Sequence, residues 1–384
     1  MKRKICVVIT ARPSYSRIKS ALDAINNHPD LELQLVVAGS ALLERYGNAS
    51  NYMVDDGFTI KSKVFNVLEG ENLTSMAKST GLAVMELATV FENLKPDMVL
   101  TIADRYETIA TSIAAAYMNI PLIHTQGGEV TGNIDEKVRH ANTKLADIHL
   151  VTTSKSSDRV IKMGENPDTV FITGCPSIDL ASEIKENPKL DFDPIAKYGG
   201  VGKNIDYSKG YIVVMQHPVT TQYGLSQSQI NETLEAVTES GIPTMWFWPN
   251  VDAGSDGTSK GIRVFRETNN PDNIHFFKNM LPLDFLKILA NSRGIIGNSS
   301  VAIRECAFLG VPAVNIGVRQ NGRDRGINVI DVDYNKDNIL SAIKKNYEIG
   351  KYESDLTYGS GASGEKMANI LSTVELSIDK KLTY

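Results

Sequence analysis

Short apolar runs alternate with helical patterns along this chain of 384 residues, and no other feature constrains its fold as strongly. An uninterrupted apolar run is typical of a strand buried on both faces of a parallel sheet. Helices between such strands predict repeated βα units. The predicted strands cover residues 4–10, 33–38, 97–102, 120–124, 211–215, 244–248, 274–277, 294–296 and 313–316. We therefore predict an α/β fold built on doubly wound, Rossmann-like parallel sheets.

The repeating pattern weakens once, between residues 178 and 208, where five prolines and glycines predict a linker. A chain of this length also exceeds what one hydrophobic core supports. The predicted helices cover residues 17–26, 82–94, 109–118, 136–146 and 364–378, with one more opening at Ser299 and Ser300. We predict an N-terminal domain of residues 1–180, joined by the C-terminal helix at 364–384, and a C-terminal domain of residues 181–363.

Composition narrows the classes of function. The net charge of -5 and the pI near 5.8 argue against nucleic acid as a partner. No segment approaches the roughly 20 apolar residues of a membrane span. Cys6, Cys175 and Cys306 lie in apolar surroundings without metal-ligand spacing, which favours buried thiols in a reducing compartment. We expect a cytoplasmic protein that binds neither nucleic acid nor membrane.

The unusual polar residues nearly all follow a predicted strand directly. Open α/β sheets bind ligands at the carboxyl ends of their strands, and two such domains facing each other would line one cleft. Scattered surface polarity would not favour one end of the strands. The residues in this position are Arg12, Asp104, Arg105, Gln126, Glu129, His217, Asn250, Asp252, Ser299 and Arg319.

The stretch from Gly297 to Glu305 is the most informative single segment. A strand end, a tight Gly-Asn turn and a serine-capped helix place several backbone N–H groups around one point, which suits a phosphate. Glu305 would accept two hydroxyls of a ribose, and Arg319 follows the next strand to the same edge. These features predict a nucleoside-diphosphate site. The alternative is that the serines only cap a helix and Glu305 is only solvated.

Single residues also have plainer interpretations. Asp104 and Arg105 can form a simple ion pair, and His217 before Pro218 can be a loop residue without a ligand. Asn250 and Asp252 cap turns routinely. Further along, the pair Arg139-His140 on a helix is more often structural than catalytic, and Trp246 and Trp248 fit core packing better than ligand stacking.

Taken together, these residues lie in motifs that resemble the hydrolysing UDP-N-acetylglucosamine 2-epimerases of sialic-acid and legionaminic-acid biosynthesis. The resemblance covers nearly the whole chain. It implies the glycosyltransferase-B architecture of two Rossmann-like domains, a UDP-sugar substrate, no nicotinamide or metal cofactor, and assembly as a homodimer or homotetramer. The motifs are ADRYE (103–107), GGEVTGNID (127–135), RH (139–140), QHPVTT (216–221), PNVDAGS (249–255), GNSS (297–300) and GVRQ (317–320).

The resemblance also implies a reaction in two stages. The proton on sugar carbon 2 is removed as UDP leaves carbon 1, which gives a 2-acetamidoglycal. Water then adds to carbon 1, and a proton returns to the other face of carbon 2. Asp104 and Asp135 would handle protons, with His217 also placed in the catalytic set. The implied UDP-binding residues are Arg12, Ser16, Arg105, His217, Asn250, Asp252, Ser299, Ser300, Glu305 and Arg319.

One position departs from the family pattern. Several relatives carry a glutamate credited with proton transfer where this chain has Gln126, and an amide cannot act as a general base. Glu129 or Asp135 would have to serve instead. Three other functions stay open, namely a non-hydrolysing 2-epimerase, a glycosyltransferase and a UDP-sugar sensor. The substrate can also be UDP-2,4-diacetamido-2,4,6-trideoxy-glucose rather than UDP-N-acetylglucosamine.

Overall fold

A computed structural model describes residues 2–44, 48–69, 73–131, 134–249 and 255–383. The chain divides into two compact units. The first comprises Met1–Glu129, Ile134–Asp179 and Gly359–Tyr384, and the second comprises Val130–Asn133 and Leu180–Tyr358. Within the described ranges each unit contains a seven-stranded sheet flanked by helices, and the α/β fold class predicted from the sequence is confirmed.

The first sheet is wholly parallel and has the strand order β3-β2-β1-β4-β5-β6-β7. The second has the order β14-β13-β12-β9-β10-β11-β8, in which β8 is an antiparallel edge strand. The strands are β1 (Arg3–Ile9), β2 (Leu31–Ala38), β3 (Ile60–Val64), β4 (Met98–Ile102), β5 (Leu122–Thr125), β6 (Ile148–Val151), β7 (Val170–Ile172), β8 (Val201–Gly202), β9 (Ile212–Met215), β10 (Thr244–Phe247), β11 (Ile274–Phe277), β12 (Ile295–Gly297), β13 (Ala313–Ile316) and β14 (Val329–Val332).

Helices lie between most of these strands. They are α1 (Arg12–Asn27), α2 (Ala49–Asp55), α3 (Leu73–Leu94), α4 (Thr108–Tyr117), α5 (Ile134–Leu145), α6 (Ser154–Lys162), α7 (Pro176–Glu186), α8 (Pro194–Tyr198), α9 (Ser226–Ser240), α10 (Ser255–Asn269), α11 (Pro282–Asn291), α12 (Glu305–Leu309), α13 (Lys336–Ile349) and α14 (Ser363–Thr373). No described helix is long and apolar enough to cross a lipid bilayer.

Strand β1 shows why a continuous apolar run becomes a central strand. Side chains alternate between the two faces of a sheet. Ile5, Val7 and Ile9 pack in one hydrophobic core, and Cys6 and Val8 pack in a second core on the opposite face. All five are at most 1% exposed. Both faces of the first sheet are therefore covered, as the sequence pattern predicted.

Several helix boundaries differ from the sequence prediction. Helix α1 begins at Arg12 rather than residue 17, because Pro13 occupies the first turn, where a missing N–H costs nothing. Helix α3 begins at Leu73 rather than residue 82, and α14 ends at Thr373 rather than residue 378. The sequence pattern does not predict the first turns of α1 and α3, because Pro-Ser and runs of polar residues are typical of loops.

Residues 178–208, predicted as a linker, carry regular structure. Helices α7 and α8 each begin with a proline, at Pro176 and Pro194, so these prolines start helices rather than interrupt them. Leu180, Ile184 and Ile205 are buried in a core of the second unit. Apolar residues at helical spacing indicate a helix in this segment, but its many prolines and glycines favour a linker instead.

The helix predicted to open at Ser299 and Ser300 is not continuous. A 3-10 turn covers Ser300–Ala302, and α12 begins only at Glu305. Between them, Arg304 has φ −103° and ψ −76°. Its buried guanidinium turns back and donates to the Ser300 hydroxyl at 2.9 Å. The periodic apolar pattern indicated the correct buried face but could not reveal this interruption.

The C-terminal tail, residues 374–383, lies along the first unit beyond α14. The Lys380 ammonium donates to the carbonyl of Ala146 at the end of α5 and to the carboxylate of Glu165. Glu165 is 2% exposed and also accepts from Lys144 at 2.5 Å and from His149 at 3.0 Å. Burial opposes ionisation of Glu165, but these three donors outweigh it and lower its pKa to about 2.

Replacing Lys380 with Met should therefore destabilise the protein. The variant removes a charge-assisted hydrogen bond to a buried carboxylate, which is worth about 1.5–3 kcal/mol. Urea denaturation followed by circular dichroism measures the loss, with Lys381→Met, an exposed neighbour, as the matched control.

Because the folded-state pKa of Glu165 is depressed, its stabilisation is present above the unfolded value of about 4.3 and disappears as the pH falls towards about 2. The difference between wild type and Lys380→Met should shrink over that range. Equal losses in the Lys380 and Lys381 variants at neutral pH would contradict this role for Lys380.

Candidate active site

The strand order of the first unit places its switch point between β1 and β4. These neighbours are not consecutive in the chain, and their helices leave in opposite directions along the sheet. Such a switch point is where open α/β sheets bind ligands, at the carboxyl ends of the strands. Arg12 follows β1 and Asp104 follows β4. Arg12 and Asp104 therefore lie at the same edge of the sheet, where the sequence predicts that polar residues gather.

Asp104 lies at the centre of a buried group of charges. It is 6% exposed, and its carboxylate accepts a hydrogen bond from Arg139 of α5 and lies 3.5 Å from the Arg17 guanidinium of α1. Arg139 is 0% exposed and also donates to the Glu129 carbonyl at 2.8 Å and to the Glu136 carboxylate at 3.0 Å. We call these five residues the Asp104 cluster.

Charge compensation explains how Arg139 is tolerated in the interior. Burial opposes its positive charge, but the carboxylates of Asp104, Glu129 and Glu136 outweigh that penalty and raise its pKa. Arg139 is therefore a permanent buried cation facing Asp104. This role of Arg139 is structural, as the sequence analysis favours, and it holds the Asp104 carboxylate in place.

Strand β5 and the loop after it position Gln126 and Glu129. Gln126 has a left-handed backbone with φ +61°, is 2% exposed, and places its amide nitrogen 3.9 Å from the Cys175 sulfur. Glu129 is 4% exposed and accepts from the Thr152 hydroxyl at 3.0 Å. Gly128 between them has φ +73°, and a Cβ there would lie 2.1 Å from the Ser156 carbonyl oxygen, so only glycine fits.

Four further candidates belong to the first unit. Arg105 pairs with Glu107, at 3.2 Å between Nε and the carboxylate. The guanidinium of Arg12 lies 5.6 Å from the ring centroid of Tyr52. Half-buried Ser16 belongs to α1, and half-buried Asp135 belongs to the first turn of α5.

The second unit has its own switch point, between β9 and β12. His217 follows β9, and Asn298 follows β12. Gly297 has φ +133°, and a Cβ there would lie 2.2 Å from the Met215 carbonyl oxygen. Glycine is therefore required for the two strand ends to approach this closely.

The side chain of Asn298 ties this edge together. It is 0% exposed, accepts from the His217 backbone N–H at 2.7 Å and donates to the His217 carbonyl at 2.8 Å. The Asn298 carbonyl accepts from Arg319 at 3.1 Å and from Gln320 at 2.8 Å. Asn298, His217, Arg319 and Gln320 form what we call the Asn298 cluster, which brings two predicted phosphate ligands to one point.

Three further predicted residues surround the same turn. Ser299 accepts from the Val301 N–H at 3.4 Å, and Ser300 accepts from Arg304. Glu305 is 7% exposed, and its Oε2 atom is buried without a hydrogen-bond partner. A buried carboxylate oxygen without a partner is costly, so this atom is available to accept from a ligand hydroxyl.

Sequence patterns do not predict the contacts of Asn298, Arg139 and Arg304, because their partners are distant in sequence or specific to the fold. Asn250 and Asp252 lie outside the described residues. Across the described ranges, no group of three or more His, Cys, Asp or Glu side chains has an arrangement that could hold a metal ion.

Two doubly wound α/β units with polar clusters at their switch points form the class of protein that binds ligands at the carboxyl ends of its strands. The model of the family described as UDP-N-acetylglucosamine 2-epimerase matches residues 23–372, and the chain belongs to this family.

Individual relatives agree with this assignment. The chain is 34% identical over 376 residues to the UDP-N,N'-diacetylbacillosamine 2-epimerase (hydrolyzing) of Legionella pneumophila, covering 98% of this chain and 97% of the relative. It is 30% identical to a UDP-N-acetylglucosamine 2-epimerase of Neisseria meningitidis over 378 residues, covering 98% and 96%. The crystal structure of UDP-GlcNAc 2-epimerase from Neisseria meningitidis bound to UDP-GlcNAc shares the fold, with a TM-score of 0.78 at 18% identity, covering 96% and 99%.

Replacing Asn298 with Asp tests the role of the Asn298 cluster. The aspartate keeps the shape and the acceptor for the His217 N–H, but it cannot donate to the His217 carbonyl. The unmade hydrogen bond in a buried place should cost about 1–3 kcal/mol of stability, and the affinity for UDP should fall. Thermal unfolding and calorimetry with UDP measure the two effects.

Asn291, an exposed asparagine on α11, offers the matched control, since Asn291→Asp should leave UDP affinity unchanged. If Asn298→Asp binds UDP with the affinity of the wild type, the Asn298 cluster does not position the residues that bind UDP.

Proposed function

We propose that this chain is a hydrolysing 2-epimerase that converts UDP-N-acetylglucosamine and water into N-acetylmannosamine and UDP. The observation that carries the proposal is Asp104, a buried carboxylate held by Arg139 and Arg17 at a strand end of the first unit. These contacts hold the carboxylate in one place, and a fixed position within reach of the proton is the first requirement of a general base. The Legionella pneumophila relative has the word hydrolyzing in its name and matches across 98% of this chain.

The reaction balances without an oxidant or reductant. The C–H bond at carbon 2 and the C–O bond to UDP at carbon 1 break, which leaves a 2-acetamidoglycal and UDP. Water then supplies a hydroxyl to carbon 1 and a proton to the other face of carbon 2. In this scheme Asp104 acts in the first proton transfer.

The second unit is the proposed UDP-binding unit. Arg319, His217, Ser299 and Ser300 would bind the diphosphate through charge-assisted hydrogen bonds. The unpartnered Oε2 of Glu305 would accept from the ribose hydroxyls. A stabilised diphosphate is the better leaving group, so these contacts would also speed the loss of UDP.

We assign the return of a proton to carbon 2, the second proton transfer of the reaction, to Asp135. Gln126 cannot act as a base. Glu129 is 4% exposed and already accepts from Thr152, whereas Asp135 is half-buried in the first turn of α5. A half-buried carboxylate can exchange its proton with solvent between turnovers, and this access favours Asp135 as the residue that returns a proton to carbon 2.

A second candidate substrate follows from the same relative. Its name specifies UDP-N,N'-diacetylbacillosamine, a 2,4-diacetamido-2,4,6-trideoxy sugar, so this chain can be a hydrolysing 2-epimerase for that nucleotide sugar. Both candidates share the proposed chemistry at carbons 1 and 2. They differ only at carbons 4 and 6.

Incubation in heavy water tests the reaction. Each nucleotide sugar is supplied separately, and mass spectrometry should find UDP and a free manno-configured sugar carrying one deuterium at carbon 2. In oxygen-18 water the label should enter the anomeric hydroxyl and leave UDP unlabelled, when read before spontaneous exchange. The nucleotide sugar that turns over identifies the substrate.

Asp104→Asn should suppress both labels together, because a neutral amide cannot take the carbon 2 proton. Asp158→Asn, at an exposed residue of α6, is the control that should behave as wild type. A product that retains the original hydrogen at carbon 2 would exclude elimination. Deuterated UDP-manno-sugar without free sugar would assign the chain to a non-hydrolysing reaction.

A ribose analogue tests Glu305. Wild type should bind UDP more tightly than 2′-deoxy-UDP by about tenfold, the value of one charge-assisted hydrogen bond. Glu305→Gln should lose most of this discrimination between the two nucleotides. The variant should still bind UDP, because the proposed contacts of Arg319 and His217 to the diphosphate remain. Calorimetry with both nucleotides provides the comparison, and full discrimination in the variant would place the ribose elsewhere.

A further inference from the structure

His124 is a buried histidine that the proposed reaction does not use. It belongs to β5 and is 0% exposed. Its Nε2 atom lies 2.8 Å from the carbonyl oxygen of Ala103, and its Nδ1 atom lies 3.1 Å from the Thr143 hydroxyl. Ala103 directly precedes Asp104, and Thr143 lies one turn beyond Arg139 on α5.

These partners define where the ring proton lies. A carbonyl oxygen can only accept, so Nε2 must carry a proton. Burial lowers the pKa of His124 to about 3, with the Ala103 carbonyl and Asp104 opposing and His149 and Arg139 assisting. The ring is therefore neutral at physiological pH, with a lone pair on Nδ1 that lies 3.1 Å from the Thr143 oxygen. The hydrogen bond that the ring donates is the one from Nε2 to the Ala103 carbonyl.

The Ala103 backbone needs such support. Its φ is +57°, a left-handed conformation that costs a residue with a Cβ about 1–2 kcal/mol. The Ala103 N–H donates to the Thr125 carbonyl at 3.1 Å, and its carbonyl accepts from His124. This conformation turns the chain out of β4, so the direction in which Asp104 leaves the strand depends on it.

His124 also contacts the other two segments of the site. The Thr143 hydroxyl beside Nδ1 donates to the Arg139 carbonyl at 3.0 Å. Gly127 packs on the ring, and a Cβ there would lie 3.1 Å from Nδ1 and 3.0 Å from the Thr143 oxygen. One imidazole therefore sits among the turn that carries Asp104, the helix that carries Arg139 and the loop that follows Gln126.

We propose that His124 is a positioning residue. As a neutral ring protonated on Nε2, it holds the Ala103 carbonyl and so fixes the Asp104 carboxylate against Arg139, without exchanging a proton with the substrate. The inference rests on the proposed function, in which Asp104 starts the reaction. It gives His124 a role in turnover and none in UDP binding.

Two substitutions separate the hydrogen bond from the volume of the ring. His124→Phe keeps a planar ring but loses the donor to Ala103, whereas His124→Gln keeps an N–H at a similar reach. Misplacement of a catalytic group by about 1 Å can cost about 100-fold in rate, so we expect His124→Phe to lose about 100-fold in kcat. KM and the Kd for UDP should stay within about twofold.

The pattern across the two variants decides the role. The kcat of His124→Gln should be at least about tenfold higher than that of His124→Phe. In both variants, kcat should keep the acidic limb and the basic limb of its wild-type dependence on pH. A kcat near wild type in His124→Phe, an equal loss in His124→Gln, or the disappearance of one limb would each overturn the inference. The last result would make His124 a proton-transfer group.

A measurement on the wild-type protein covers the case in which His124→Phe does not fold. Nuclear magnetic resonance with nitrogen-15 histidine should show one ring, absent from the spectrum of His124→Gln, in the Nε2–H tautomer and without titration between about pH 5 and 9. An Nδ1–H tautomer or a titration in that range would overturn the inference alone. The predicted tautomer in a protein without 2-epimerase activity would contradict the proposed function alone.

Discussion

The hydrogen-bonded ion pair between Arg139 and Asp104 is the interaction on which the first unit's site depends. A guanidinium that is 0% exposed loses several kcal/mol of hydration, and nothing in an apolar core compensates for that loss. Asp104, Glu136 and the Glu129 carbonyl together surround it. Removing one member leaves an uncompensated buried charge, so the turn after β4, the loop after β5 and helix α5 are held in place as one set.

In the second unit, the neutral side chain of Asn298 connects the segments that follow two neighbouring strands, β9 and β12. Asn298 spans the backbone of His217 with one donor and one acceptor, which an amide can do and a carboxylate cannot. A carboxylate in place of Asn298 would repel a diphosphate. The contrast fits the proposed division of labour, in which the position beside the diphosphate is neutral and the buried Glu305 carboxylate is assigned to the ribose hydroxyls.

The sequence predicted features that depend on local pattern. Continuous apolar runs identified the parallel strands, and polar residues after those runs predicted a ligand-binding edge in each unit, because the carboxyl ends of parallel strands share one edge. Long-range pairing was not predictable in this way. Nothing local links Arg139 to Asp104, which lie 35 positions apart, and helical periodicity does not show that Arg304 interrupts a helix by folding back onto Ser300.

Gln126 shows how a single departure from a family pattern redistributes chemistry. The position is 2% exposed with a left-handed backbone, and a carboxylate there would have a raised pKa because burial disfavours its charge. Such a group suits general acid–base catalysis near neutral pH. With an amide in its place the site contains one fewer buried acid, and Arg139 is balanced by the remaining carboxylates. In the reaction we propose, another carboxylate then has to deliver the proton to carbon 2, and we assign this step to half-buried Asp135, on the same helix as Arg139.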